Sequence, residues 1–179
     1  MTLSGPVDYA KAYFLHQTLT AIQGEPSYSS LKILKKELKA NSSRVTLDLG
    51  GGGHGHLGLV LTAHEYSMIS AVIYARPVHP GPLNVPPGTT NHEATRLTAA
   101  HNENIRIYRE TVELEKVLIN LTCNAMEETY YRERINPHTS TVTEPLSVFL
   151  TWLFSNYGDI DHDIIKEEEK RVSEITYNL

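Results

Sequence analysis

Apolar side chains recur at helical spacing over most of the chain, and two irregular stretches interrupt the rhythm. From Ser27 to Lys39, Tyr28, Leu31, Leu34 and Leu38 fall three and four apart with lysines on the other face, which predicts a short amphipathic helix closed by Asn41-Ser-Ser43. Thr62-Ala-His-Glu65 has the form of a capping box, where the threonine oxygen and the glutamate satisfy free amides at a helix start. It predicts two or three turns through Tyr66, Met68 and Ile69. Thr90-Asn-His-Glu93 repeats the form and opens the longest helical tract, without glycine or proline as far as about Arg134, as two helices or one bent one. Ile105, Tyr108, Val112, Leu118, Leu121 and Ala125 make its expected core-facing stripe. His101, Arg106, Arg109, Glu110, Glu113 and Glu115 make its expected solvated face. After the break at Asn136-Pro137, Thr143 as cap and Pro145 in the first turn predict the most apolar helix. That helix carries Leu146, Phe149, Leu150, Trp152, Leu153 and Phe154, with Phe149 and Trp152 as core anchors, and Gly158 stops it. Asp161 is expected to cap a last helix through Ile164, Ile165, Val172 and Ile175, with the charge run from Lys166 to Arg171 on its wet side.

The first interruption, Leu49-Gly-Gly-Gly-Gly-His-Gly-His-Leu-Gly-Leu-Val60, is where enzymatic chemistry would be sought. Val45, Leu47 and Leu49 alternate like a strand running into glycines, which resembles the first motif of S-adenosylmethionine methyltransferases. Glycines there let the backbone approach a ligand closely or turn through positive φ. The motif wants glycine where this chain has His54, and an acidic residue ending a second strand about 20 residues on. The next strand-like run, Ala71-Val-Ile-Tyr74, ends in Ala75-Arg76-Pro77, and no acid follows before Glu93. A phosphate loop would need a closing Gly-Lys-Ser/Thr, yet the nearest lysine is Lys39. His54 and His56, with His64, Glu65 or His79 as a third ligand, would suit zinc. No cysteine pair or His-Glu-x-x-His arrangement accompanies them, and histidines in such loops more often bond to the backbone or face water. Asp159, Asp161 and Asp163 lack the glycine and terminal glutamate of a calcium loop. The residue pattern therefore assigns no catalytic, cofactor-binding or metal position.

The second interruption runs from Arg76 to Thr90, where Pro77, Pro80, Pro82, Pro86 and Pro87 remove backbone donors and favour extended conformations. An arm or packed loop is expected, with Val78, Leu83 and Val85 lying on the protein's own surface; a polyproline ligand is the second reading.

Length and charge narrow the classes. A chain of 179 residues supports one domain, or a lobe with an irregular arm. Its net charge of −5 argues against gripping nucleic acid by phosphate neutralisation, so RNA contacts are expected elsewhere. The longest apolar stretch, Ser147 to Phe154, is far shorter than a membrane span, and Met1-Thr-Leu-Ser-Gly-Pro6 lacks a signal-peptide pattern, so a cytoplasmic location is expected. Cys123 has no partner cysteine and reads as buried filler. Asn41-Ser-Ser43 and Asn120-Leu-Thr122 are glycosylation sequons without a secretion signal.

Three blocks in order carry a family resemblance: the glycine-histidine block from Leu49 to Val60, Arg76-Pro-Val-His-Pro-Gly-Pro82 through Pro87-Gly-Thr-Thr90, and Phe149-Leu-Thr-Trp-Leu-Phe-Ser-Asn-Tyr-Gly158 with Ile175-Thr-Tyr177. From about Ile22 onward the chain resembles the N-terminal part of the Gag-like polyprotein of copia-type retrotransposons, the kind abundant in diatoms and other algae. The resemblance implies a mostly helical capsid-type fold, no catalytic residues, self-association into particles and packaging of element RNA. In that family further capsid helices, a basic nucleocapsid segment and enzymes follow the point where this sequence ends at Asn178-Leu179. RNA is thus expected to be held by those downstream regions.

The expectation is therefore a mainly α protein: a flexible segment over 1–26, short helices and a Gly/Pro-rich arm over 27–90, and a helical capsid-like domain over 91–179. It is expected to act as a structural homo-oligomer with no small-molecule substrate and no membrane. A domesticated Gag-derived interaction module and a methyltransferase fragment are the rival readings.

Overall fold

The computed structural model describes residues 12–47 and 53–159, and the chain is mainly α. The expected last helix from Asp161, with the acids Asp161 and Asp163, lies outside the described residues.

Helix α1, Tyr28–Ser43, starts where Ser27 and Ser30 exchange side-chain and backbone hydrogen bonds in a capping box. Leu31, Leu34 and Leu38 lie on one face and are fully buried, as their spacing predicts. The helix continues through Asn41-Ser-Ser43 instead of closing there, because Asn41 is itself a core residue. Its side-chain amide donates to the His16 carbonyl (2.8 Å) and its oxygen accepts from the His16 backbone N–H (2.9 Å). That clamp, the Ile22 N–H donating to the Ala125 carbonyl (2.7 Å), and the burial of Phe14, Leu19 and Ile22 tie residues 14–22 into the core. They belong to the stretch expected to be flexible.

Helix α2, Ala63–Ser67, has the expected capping box between Thr62 and Glu65, yet makes only five residues. Met68 and Ile69 lie beyond it and are exposed. Neither Val45 to Leu47 nor Ala71 to Tyr74 forms a strand, and Leu49, the last position of the first expected strand, lies outside the described residues. From Arg76 to Thr90 the chain is irregular, as predicted, but Val78, Leu83 and Val85 face outward instead of packing onto the surface.

Helix α3 runs unbroken from Asn91 to Asn124, its start capped by Thr90 accepting from the Glu93 N–H. At 1.5 Å per residue its 34 residues span about 50 Å. Its buried positions begin only at Ile107 and continue through Thr111, Leu114, Leu118 and Thr122. The predicted stripe holds at Leu118 and Ala125, whereas Ile105, Tyr108 and Val112 are half-buried on its flank. Helix α3 also ends ten residues before Arg134: two 3-10 turns, Glu128–Tyr130 and Arg132–Arg134, lead into a hairpin. In it β1, Ile135–Asn136, pairs antiparallel with β2, Thr141–Val142, matching Ile135 with Val142 and Asn136 with Thr141.

Helix α4, Leu146–Tyr157, buries Leu146, Phe149, Leu150 and Leu153. Trp152 is half-buried and stacks on Phe149. Gly158 ends the helix as expected, its N–H donating to the Phe154 carbonyl. Thr143 is not its cap. Pro145 occupies the cap position, and the first free amide, that of Leu146, donates to a carboxylate oxygen of Glu115 at 3.0 Å. One hydrophobic core thus joins the 14–22 segment, α1, the second half of α3 and α4, crossing the expected boundary between 27–90 and 91–179.

Candidate functional site

The described part of the glycine-histidine block, Gly53 to Val60, forms a joint between α1 and the chain that follows. Gly55 adopts φ +54°, and a Cβ there would come within 2.7 Å of the Ser43 carbonyl oxygen, so the position favours glycine on both counts. This close approach lets the His56 N–H donate to the Ser42 carbonyl at 3.1 Å, which seats the loop on the end of α1. Leu57–Leu59 then makes one 3-10 turn, burying Leu57 and Leu59. Gly58 lies against the Tyr74 ring, in space that any Cβ would invade. Gly55 and Gly58 thus pack against protein, while Gly50 to Gly52 of the methyltransferase-like motif lie outside the described residues.

The two histidines diverge. His56 is 3% exposed, and its Nδ1 lies 3.2 Å from the Tyr74 hydroxyl. Burial lowers its pKa to about 4, so the ring is neutral at pH 7. Burial also pushes the Tyr74 phenol up, which keeps it a hydrogen-bond donor or acceptor without charge. His54 instead meets the edge of Tyr66, which in turn packs on Tyr74 at 5.7 Å. Histidines and tyrosines therefore form a small aromatic cluster beside the apolar group of Leu57, Leu61 and Tyr66.

The residues considered as third zinc ligands are engaged elsewhere. His64 lies exposed on α2. Glu65 closes the α2 capping box and pairs with Lys35 at 2.5 Å. Burial pushes its carboxyl up, but the Lys35 and Thr62 hydrogen bonds outweigh this and hold its pKa below the ordinary value. His79 accepts from the Gly81 N–H and meets Tyr108 edge-on at 5.2 Å. Among the described residues no three histidine, cysteine, aspartate or glutamate side chains converge as a metal site would require.

Glu115 is the charged residue that sequence reading misplaced. It was assigned to the solvated face of the long helix, yet it is 6% exposed. Arg76 grips it with both guanidinium nitrogens, one at 2.9 Å, while the start of α4 donates the Leu146 N–H. The hydrogen bond to Glu115 raises the Arg76 pKa above its already high value. This is a structural clasp joining the proline arm, α3 and α4. With no side-chain cap at Pro145, the start of α4 needs an acceptor from elsewhere, and Glu115 supplies it. Burial raises the Cys123 thiol to about 11, which leaves it protonated and unreactive at neutral pH.

No protein-family model, curated protein or solved structure matches this chain.

The surface around the joint offers two hollows. Met68, Ile69, Val72 and Ile73 follow α2 as exposed apolar side chains, Ile73 being 84% exposed, and Val78, Leu83 and Val85 extend the run along the proline arm. Beside them an apolar cleft of about 430 Å³ opens between α2 and Ile73, floored by Tyr66 and Tyr74. On the other side, between α1 and α4, a groove of about 610 Å³ is lined by lysines. Among the described residues no helix is long and apolar enough to cross a membrane.

Proposed function

We propose that this chain is a structural, self-associating protein of the Gag type, which builds particles around element RNA and performs no chemistry of its own. The observation that carries this reading is the exposed apolar run from Met68 to Val85. A single domain rarely leaves seven large apolar side chains exposed within eighteen residues of chain, and such surface marks contact with another protein. Prolines within the arm restrict its backbone in the free state, which lowers the entropy lost when it docks. The order of the three sequence blocks supplies the kind of partner: further copies of the same chain. A contact between different patches on successive copies builds rings or open arrays instead of stopping at a dimer.

Sedimentation velocity over a concentration series tests this. The chain is expected to associate with rising concentration, and Val78→Ser/Leu83→Ser/Val85→Ser is expected to weaken association while leaving the melting temperature unchanged. A chain that stays monomeric at high concentration, with or without RNA, would count against the structural role and in favour of a domesticated interaction module. S-adenosylmethionine is expected to give no binding heat in titration calorimetry. Micromolar binding weakened by Gly52→Val would restore the enzymatic reading.

A further inference from the structure

The whole-chain charge of −5 hides a local excess of the opposite sign. Lys32, Lys35, Lys36 and Lys39 all line the groove between α1 and α4, with Tyr28 and Phe154 as its aromatic wall. Lys35 is neutralised by Glu65 and lies over the Phe154 ring. Lys32 has only the Tyr28 ring, at 5.9 Å, and among the described residues no carboxylate pairs with Lys32, Lys36 or Lys39. Elsewhere on the described surface, basic side chains such as Arg106 and Lys116 are answered by glutamates on the same helix. Arg44 and Arg109 also lack an ion pair among the described residues, but they stand apart, whereas three unpaired ammonium groups share one groove.

Their spacing specifies the shape of the missing anion. Positions 32, 36 and 39 lie four and three residues apart on one helical face, so they form a row about 10 Å long at 1.5 Å rise per residue. A nucleic-acid strand places one phosphate about every 3.4 Å along its axis when stacked, so a row of that length spans about four phosphates, enough for each of the three lysines to meet one. Tyr28 sits at one end of the row, half-buried and edge-on to Phe154, where a base can lie against it. We propose that this groove binds single-stranded nucleic acid, with Lys32, Lys36 and Lys39 on three phosphates of one strand and Tyr28 against a base. The contact deepens the packaging role proposed above, and it lies within this chain, whereas the family resemblance places RNA contacts in downstream regions.

Fluorescence anisotropy of the full chain with a labelled oligouridylate dodecamer tests it, alongside sedimentation of the same samples to read self-association separately. Three phosphates predict a slope of log K against log salt of about −2 for a single strand, from roughly 0.7 per phosphate. Lys32→Gln/Lys36→Gln/Lys39→Gln changes only exposed side chains and is expected to melt as the parent does, while losing about tenfold or more in affinity at low salt and most of the slope. Arg96→Gln/Arg109→Gln/Arg132→Gln removes as much charge elsewhere and is expected to bind almost as the parent does. Undetectable binding at low salt, or equal loss in the two triple variants, would overturn the site. Displacement of the oligonucleotide by polyglutamate at equal charge would assign the groove to an acidic protein instead, and displacement by tripolyphosphate alone would assign it to a free phosphate compound. In either case the nucleic-acid proposal fails, while the sedimentation result stands or falls by itself.

Discussion

His56 ties the described end of the glycine-histidine block into the fold, and its protonation gives a direct test of that role. In the folded protein, burial holds its pKa at about 4, while an unfolded histidine titrates near 6.5. Between those values the unfolded chain binds a proton that the folded chain refuses, so stability falls as pH drops through this window and levels off below it. Above about pH 6.5 the contribution is constant. The shift corresponds to about 3 kcal/mol lost between pH 6.5 and 4. Carboxylates such as Glu65, held below their ordinary pKa, lose their stabilising charge at the lower end of the same range, so the wild type alone cannot isolate the histidine. Urea unfolding of wild type and His56→Asn at pH 7 and at pH 4.5 separates the two. The asparagine variant is expected to start less stable and to lose less on acidification. Equal acid sensitivity in both proteins would show that the ring is already charged or solvated. This role was hidden in the sequence because both partners are distant: the Tyr74 hydroxyl is eighteen residues onward and the Ser42 carbonyl lies on the preceding helix.

Helices were legible where a local rule governs them and illegible where a distant partner does. The buried stripe of α1, the capping box of α2 and the capped start of α3 follow from spacings of three and four and from side chains that reach their own backbone. The core register of α3 does not, since among the described residues its first half has no element to bury against and its second half is set by Leu114 and Leu118 meeting α1 and α4. Glu115 shows the same limit at the start of α4, because nothing in the local pattern links it to Arg76, 39 residues earlier, or to Leu146, 31 residues later. Replacing it tests the clasp. Glu115→Ala leaves the start of α4 without its acceptor and Arg76 without its counter-charge, and is expected to destabilise by about 3 kcal/mol or more. Glu115→Gln keeps one oxygen for the Leu146 N–H but loses the charge, and should fall between the alanine variant and wild type. Thermal melting of the three proteins reads the order. A melting temperature unchanged by the alanine substitution would show that solvent replaces the carboxylate at no cost.

At the scale of the molecule, the two proposed contacts respond to salt in opposite directions, which allows both to be read in one experiment. Association through Met68 to Val85 is apolar, and copies carrying −5 each repel one another at long range. Added salt shortens the Debye length from about 30 Å at 0.01 M to about 8 Å at 0.15 M, so this repulsion is screened while the apolar attraction remains. Self-association of the chain alone should therefore strengthen, or at least persist, as salt rises. Nucleic acid on the lysine row behaves otherwise, since its affinity comes from counterion release and falls with each increment of salt. At low salt an oligonucleotide bound to Lys32, Lys36 and Lys39 adds negative charge to an already acidic chain and should oppose association unless one strand bridges several copies. A dodecamer is too short to bridge many copies, whereas a long single strand raises their local concentration and should promote large assemblies. The expected pattern in sedimentation is small species with the dodecamer, large ones with long RNA, and loss of the RNA-dependent species alone as salt is raised. Assemblies of the RNA-free chain that dissolve with salt would identify the interface as charged, and would remove the apolar arm as its basis.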